Sequence, residues 1–314
     1  MQNPSGTLQV GTIQNRFGLA GSYNMKQVIK SCCCAGCYMV GVFGFFLLGF
    51  ECQAQGQPQG QPPAKTAPSP KTRIELPGEK LTIQDRPAFL FLPDPSKRTS
   101  PQPWIFYAPT LAPYPDEAER WMHTQFLDAG IAVAGIDVGE AYGSPKSHDA
   151  FNALYAELTE KRGFAKKLCL FGRSRGGLWV SSWALAYPER ISGVIGIYPV
   201  YDFKTYPKLD KAAPAYGLTA AELESRSAEF NPIERIEKLA QAKIPFTIIH
   251  GNQDTVVPLT ENSQELLRRY KAVGQEGLVQ LIIADGQGHN FWEGFFREPK
   301  LVEFAIESAK RGAK

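Results

Sequence analysis

The chain has 314 residues, 43% of them hydrophobic, and a formal net charge of +3. That length buries one large core or two modest ones. The near-balanced charge, with no long basic run, excludes the concentrated cationic face of a nucleic-acid-binding protein, and no nucleic-acid partner is expected.

In chain order, residues 25–54 read as a secretory signal. Lys26 and Lys30 supply a basic start, residues 38–50 (YMVGVFGFFLLGF) an apolar run, and Cys52-Gln53-Ala54 a small-residue cleavage site. The run is shorter than the roughly 20 residues of a membrane helix. Cleavage leaving no stable membrane span is therefore expected, with an uncleaved anchor as the alternative. Residues 1–24 read as a mis-called extension, with Met25 as the true start. Of the six cysteines, Cys32, Cys33, Cys34, Cys37 and Cys52 lie in or beside this segment. Cys169 then has no partner for an intramolecular disulfide. The clustered cysteines lack histidine partners, so no metal site is expected there. Residues 55–72, rich in Gln, Pro and Gly, cannot bury apolar surface and read as a disordered linker. The expectation is an exported protein, periplasmic or secreted, with one folded domain over 73–314.

Within that domain short apolar runs alternate with amphipathic stretches. Strands are expected at 88–92, 104–107, 131–138, 167–171, 191–198, 246–250 and 279–284. Helices are expected at 116–129, 148–161, 176–186, 232–240 (with Asn231 as N-cap and Pro232 at the first helical position), 260–270 and 300–310. Strands that are apolar on both faces and separated by helices imply α/β architecture, a mostly parallel sheet covered on both sides. Residues 201–231 break the alternation. They read as a small cap over the carboxyl ends of the strands, where ligands bind in open parallel sheets, or as a surface loop with a short helix.

The most informative segment is Gly172-Arg173-Ser174-Arg175-Gly176, a G-x-S-x-G pattern between an expected strand and an expected helix. A nucleophilic serine needs a sharp strand-to-helix turn, and the flanking glycines let backbones approach closely. The turn also leaves the next N–H at a helix N-terminus, where a developing oxyanion is stabilised. Serine needs a base. His289 follows the 279–284 strand in a glycine-rich loop (Gly286-Gln287-Gly288-His289), from which an imidazole can reach across. His250, ending an apolar strand, reads as packed and structural, whereas His123 and His148 belong to helices. The base needs an orienting carboxylate. Asp254, in the turn after 246–250, is placed for that role. Asp285 and Asp137 are its rivals, and capping its own turn is its alternative use.

These residues, in the order Ser174, Asp254, His289, resemble the α/β-hydrolase superfamily from about residue 88 onward. Residues 244–258 (IPFTIIHGNQDTVVP) look like the acid-bearing strand and turn of the prolyl-oligopeptidase-like and dienelactone-hydrolase-like branches, and residues 286–289 like their histidine loop. The resemblance implies a three-layer α/β-hydrolase fold and acyl transfer through a Ser-His-Asp triad. The histidines and carboxylates do not fall at metal-ligand spacings and there is no Gly-rich nucleotide loop, so no metal or cofactor is expected. The sequence departs from the superfamily pattern at the oxyanion loop. Tyr107-Ala108-Pro109-Thr110-Leu111 stands where many relatives carry His-Gly or Gly-Gly. The N–H of Thr110 is expected to pair with that of Arg175, Leu111 is the alternative, and Pro109 has no N–H. Gly172-Arg173-Ser174-Arg175 is similar to the elbow of glucuronoyl esterases, where an arginine follows the serine. Arg173, with Glu140 and Tyr142 after the 131–138 strand, is a candidate for the substrate pocket. Alternatively the arginines pair with carboxylates such as Glu140 and support the loop.

The leading expectation is hydrolysis of a small-molecule or polymer-borne carboxylic ester. A prolyl-oligopeptidase-like peptidase is the second, set back because only about 15 structured residues precede the first core strand, too few for a propeller blade. A non-catalytic binding domain is the third. Oligomeric state is not legible.

Overall fold

Five consecutive strands of the chain are buried along their whole length, and this fixes the architecture: they have to lie inside a sheet with helices on both faces. The computed structural model describes residues 73–314. The expected extension (1–24), signal (25–54) and linker (55–72) lie outside the described residues. The buried strands are β3 (Trp104–Ala108), β4 (Ala132–Ile136), β5 (Leu168–Arg173), β6 (Ile191–Ile197) and β7 (Phe246–Gly251). Beside them lie β1 (Gly78–Ile83), β2 (Arg86–Phe91) and β8 (Val279–Ala284). The eight strands are ordered β1-β2-β4-β3-β5-β6-β7-β8. Pairing is parallel from β4 through β8 and antiparallel for β1–β2 and β2–β4.

Strand alternation divides the core in two. Trp104, Phe106, Leu168 and Leu170 face one side, against α2 (Lys146–Ala156), α3 (Gly176–Ala186), α8 (Glu237–Gln241) and α9 (Ser263–Ala272). Ile105, Tyr107, Cys169 and Phe171 face the other, against α1 (Arg120–Asp128) and α11 (Pro299–Gly312). The result is the three-layer α/β fold. Among the described residues no helix is long and apolar enough to cross a membrane.

Several elements depart from expectation. Strand β1 was not foreseen because only Leu81 and Ile83 in GEKLTI carry an apolar side, on an edge strand that is otherwise exposed. It joins β2 through Gln84 and Asp85, both at positive φ, as a tight two-residue hairpin turn requires. The helix expected from 116 begins as a 3₁₀ turn (Glu117–Glu119) capped by Asp116. The helix expected over 232–240 is two short pieces, α7 (Pro232–Arg235) and α8. The side chain of Asn231 does not cap α7. Its carbonyl oxygen accepts the Phe203 N–H at 3.2 Å instead.

The 201–231 segment contains α4 (Leu209–Tyr216), α5 (Ala220–Ser225) and α6 (Ser227–Phe230). Its buried residues Phe203, Ala212, Ala213 and Leu223 join the core on the α2–α3 side. Asn262 Oδ1 accepts the N–H groups of Tyr201 (2.8 Å) and Asp202 (3.1 Å), which turns the chain away as it leaves β6. The segment is therefore a helical excursion after β6, packed on the helix layer.

His123, on α1, is fully buried among Phe91, Tyr107, Phe126 and Phe171, at ring separations of 5.3 to 6.0 Å. Neither ring nitrogen has a hydrogen-bond partner. Burial, with a smaller effect of the Arg173 charge, lowers its pKa to about 3. Below pH 6.5 the unfolded chain takes up a proton here that the folded chain refuses until about pH 3, so stability falls across that window. Burial likewise lowers His148 to about 4. Removing the orphaned ring nitrogens with His123→Phe is expected to raise stability at pH 7 by about 1 kcal/mol. It should also flatten the acid limb of stability by up to about 1.4 kcal/mol per pH unit between 6.5 and 3. Urea unfolding at pH 7, 5.5 and 4.5 checks this, and an unchanged pH slope would contradict it.

Candidate active site

The site grows from the end of β5. Ser174 is the turn residue between β5 and α3, and its φ is +50°. A non-glycine residue in that region carries strain of about 1 kcal/mol or more, so the surroundings have to hold it. Its N–H donates to the Ile197 carbonyl (2.9 Å), and its carbonyl accepts from Gly177 (3.0 Å) and Val200 (2.8 Å). The elbow is thereby tied to the end of β6. The flanking glycines are required by contact. A Cβ on Gly172 would lie 2.8 Å from Val180 Cγ2, and one on Gly176 would collide with the Ala108 carbonyl.

The ends of β7 and β8 bring the other two side chains. Ser174 Oγ lies 2.9 Å from His289 Nε2, and His289 Nδ1 lies 2.7 Å from Asp254 Oδ2. The loops that carry them are stitched together. Gln253 N–H donates to the Gln287 carbonyl (2.9 Å), Asn252 Nδ2 donates to Asp285 (2.7 Å), and Asn252 Oδ1 accepts from Gly286 N–H (2.8 Å). A Cβ on Gly251 would strike the Gln287 carbonyl, so the close approach depends on that glycine. The ring of Tyr198 packs on His289 with centroids 4.3 Å apart.

Asp254 Oδ1 accepts the N–H groups of Val256 (2.9 Å) and Val257 (2.8 Å). Burial alone would raise this carboxyl. Hydrogen bonds from His250, His289 and Val257 outweigh it and hold the group well below the usual carboxylate range. The rival acids are engaged elsewhere: Asp137 accepts the Gly139 N–H (2.8 Å), and Asp285 is bound by Asn252.

A cavity of about 70 Å³ opens beside Ser174 and His289. Pro109, Tyr114, Arg173, Arg175, Tyr198 and Phe291 wall it, with Asn290 at its edge. Several expected residues are not where the sequence suggested. Thr110 does not reach the cavity. Its hydroxyl donates to the Ile136 carbonyl, its carbonyl accepts from Arg73 (2.5 Å), and Pro109 faces the site in its place. Glu140 pairs with Arg175 at the rim, and Tyr142 lies outside the lining, where its carbonyl accepts the Tyr216 hydroxyl (2.8 Å). The 201–231 segment contributes no lining residue.

Arg173 borders the cavity, yet its charge is answered from within the protein. It is 3% exposed, with Nη1 at 2.6 Å from Glu119 and 3.1 Å from Asp116, both fully buried. Its Nε donates to the Tyr198 hydroxyl (3.3 Å). The rings of Tyr114, Phe291 and Phe296 lie within 4.8 to 5.1 Å of the guanidinium carbon. Burial raises the pKa of Glu119, opposed by the Arg173 charge and reinforced by that of Asp116. Sequence reasoning looked to Glu140 and missed Asp116 and Glu119, because the capping box that defines their turn also turns them inward. It also missed Tyr198 and Tyr114. Tyr198 stands at the carboxyl end of β6, a position that marks ligand-facing residues in parallel sheets.

Residues 125–306 match the sequence model of the prolyl oligopeptidase family. The chain belongs to that family. It is a family of serine hydrolases within the α/β-hydrolase superfamily, and the matched stretch carries Ser174, Asp254 and His289. No curated protein matches the chain in sequence. Among solved structures, a candidate dipeptidyl aminopeptidase IV from Bacteroides ovatus is similar at 17% identity and a TM-score of 0.58, covering 74% of this chain and 35% of that one. A puromycin-hydrolyzing peptidase of Mycobacterium tuberculosis is similar at 15% identity and a TM-score of 0.57, covering 74% of this chain and 40% of that one. Est1E from Butyrivibrio proteoclasticus is similar at 17% identity and a TM-score of 0.55, covering 74% of this chain and 98% of that one. The chain thus spans well under half the length of the two peptidases. At these identities the likeness is one of fold. Among the described residues no group of three or more His, Cys, Asp or Glu side chains is arranged to hold a metal ion.

The Arg173 cluster yields a test of its structural role. Arg173→Met removes the cation between two buried carboxyls and is expected to cost about 3–5 kcal/mol in urea unfolding. Glu119→Gln is expected to cost less, because burial already favours its neutral form. A loss below about 1 kcal/mol for Arg173→Met would contradict this.

Proposed function

We propose that the protein is an exported carboxylic-ester hydrolase that works by acyl transfer through Ser174. The observation that carries this reading is the continuous chain from hydroxyl to imidazole to carboxylate, at 2.9 and 2.7 Å. A carboxylate only accepts, so His289 Nδ1 carries the hydrogen and Nε2 presents its lone pair to the serine. His289 takes the Ser174 proton as Oγ attacks the ester carbonyl. It then gives that proton to the departing alkoxide, and the acyl group stays on Oγ. Water, deprotonated by the same ring, releases the acid and restores the serine.

The oxyanion calls for two donors. The Arg175 N–H, at the N-terminal end of α3, makes no backbone hydrogen bond and is the first. With Pro109 lacking an N–H, the second is the Tyr114 hydroxyl. Among the lining side chains its hydroxyl makes no hydrogen bond within the described residues, whereas the Tyr198 hydroxyl is held by Arg173 and Asn290 Nδ2 and the Arg173 and Arg175 guanidiniums have partners. Tyr114→Phe is expected to lower kcat by about a hundredfold.

Two features favour esters over peptides. The lining holds arginines and no acidic side chain to receive a substrate amino group. The cavity, at about 70 Å³, suits a short acyl group. The alcohol portion extends toward a neighbouring cleft of about 500 Å³ that shares Phe291 and is lined by Trp121, Phe296 and the ion pairs Arg120–Glu117 and Arg297–Glu293, a surface broad enough for a polymer-borne ester. The family match and the two peptidase-like structures favour the second reading, a serine peptidase.

Assays on 4-nitrophenyl acetate and on an aminoacyl 4-nitroanilide separate the readings. Faster turnover of the acetate, abolished in Ser174→Ala, is expected, whereas equal or faster turnover of the anilide selects the peptidase. Failure of a fluorophosphonate to label the folded protein would select the non-catalytic alternative. Export rests on residues 25–54, and N-terminal sequencing of the secreted protein is expected to begin at Gln55.

A further inference from the structure

His250, the penultimate residue of β7, has its side chain wholly enclosed, and packing alone would be served by any apolar residue of that size. Its polar atoms are nevertheless all engaged. Nε2 lies 2.9 Å from the Val257 carbonyl and 3.4 Å from Asp254 Oδ2, and Nδ1 lies 2.7 Å from Ser263 Oγ. A carbonyl and a carboxylate can only accept, so the hydrogen is on Nε2. The Ser263 hydroxyl has its hydrogen-bond partner in His250 Nδ1. A neutral ring accepts that hydrogen, whereas a cationic ring would leave it without an acceptor. Ser263, the first residue of α9, thereby fixes the tautomer of His250.

We propose that His250 is a positioning residue for the reaction, holding the Asp254 carboxylate in the orientation that His289 requires; this rests on the reading of Asp254 as the acid of the triad. The carboxylate has four lone-pair sites. Val256 and Val257 N–H groups occupy Oδ1, and His289 occupies one site on Oδ2. The Nε2–H of His250, which donates to the Val257 carbonyl at 2.9 Å, lies 3.4 Å from Oδ2, beside the remaining one. Among the described residues, His250 and His289 are the side chains that contact this carboxylate. Val257 donates its N–H to Asp254 and accepts from His250, so ring, carboxylate and backbone close on one another. Without the ring the turn loses its tie to β7, and Oδ2 has a buried lone pair with no donor.

The test compares His250→Met, which keeps bulk and removes the donor, with His250→Gln, which keeps an amide donor, and with Ser263→Ala. His250→Met is expected to lower kcat on 4-nitrophenyl acetate about tenfold, with KM little changed. The acid limb of kcat/KM should move to higher pH, because a carboxylate with one donor fewer holds the His289 proton more tightly. His250→Gln should recover most of the rate, and Ser263→Ala should fall between. Thermal unfolding shows whether each variant is folded, and if His250→Met is not, the other two decide. The downfield proton resonance of His289 Nδ1–H reports the same geometry without substrate, and is expected in the wild type and displaced or lost in His250→Met. A folded His250→Met with wild-type kcat, pH profile and resonance overturns the proposal, as does a loss that follows thermal stability alone. If the wild type turns over the aminoacyl 4-nitroanilide and not the ester, the same comparison is made on the anilide; absence of turnover of both would instead overturn the triad reading, leaving the resonance to judge His250.

Discussion

The contact on which the arrangement depends is the 2.7 Å bond between Asp254 and His289. A carboxylate taken from water toward the interior is unfavourable unless its lone pairs are met. Here two backbone N–H groups and the His289 imidazole meet them, with His250 Nε2 a further 3.4 Å from Oδ2, and the group stays ionised despite its burial. The ring of His289 is then held on three sides: by the carboxylate, by the face of Tyr198, and by a loop laced to its neighbour through Asn252 and Gln253. That lacing demands a glycine at 251. The strain at Ser174 is sustained in the same way, by backbone bonds to β6 and by glycines on either side.

A second constraint lies beneath the site. Arg173 fills the space between the strand that leads to Ser174 and the turn that carries Asp116 and Glu119, and three aromatic rings cover it. Its charge holds the turn against the sheet and the wall of the cavity in place. An arginine so fully matched inside the protein has little attraction left for an anionic substrate, which is why the arginines flanking the serine, conspicuous in sequence, turn inward or pair at the rim.

Much of this was legible beforehand, and the reasons are physical. Continuous apolar runs such as residues 131–138 and 246–250 can only be interior strands, so the parallel sheet was readable. The three strand-end side chains were readable because parallel sheets gather such positions along one edge. What escaped notice depended on contacts between distant segments. Edge strand β1 carries too few apolar residues to announce itself. Asn231 resembled a helix cap and instead holds the backbone of Phe203. The backbone N–H of Thr110 was expected at the oxyanion, but the residue that borders the cavity is Pro109, which has no N–H, and the Thr110 side chain is turned to the Ile136 carbonyl. His250 reads as packed because its neighbours in sequence are apolar, and it is wholly buried; its polar partners Val257 and Ser263 are brought to it only by the turn and the helix that follow.

The most direct measurement of the central claim is capture of the covalent intermediate. Rapid mixing with 4-nitrophenyl acetate, acid quenching and peptide mass analysis should find one acetyl group on the peptide that contains Ser174. Ester hydrolysis with that peptide unmodified at every time point, or with the acyl group on another residue, would contradict the account.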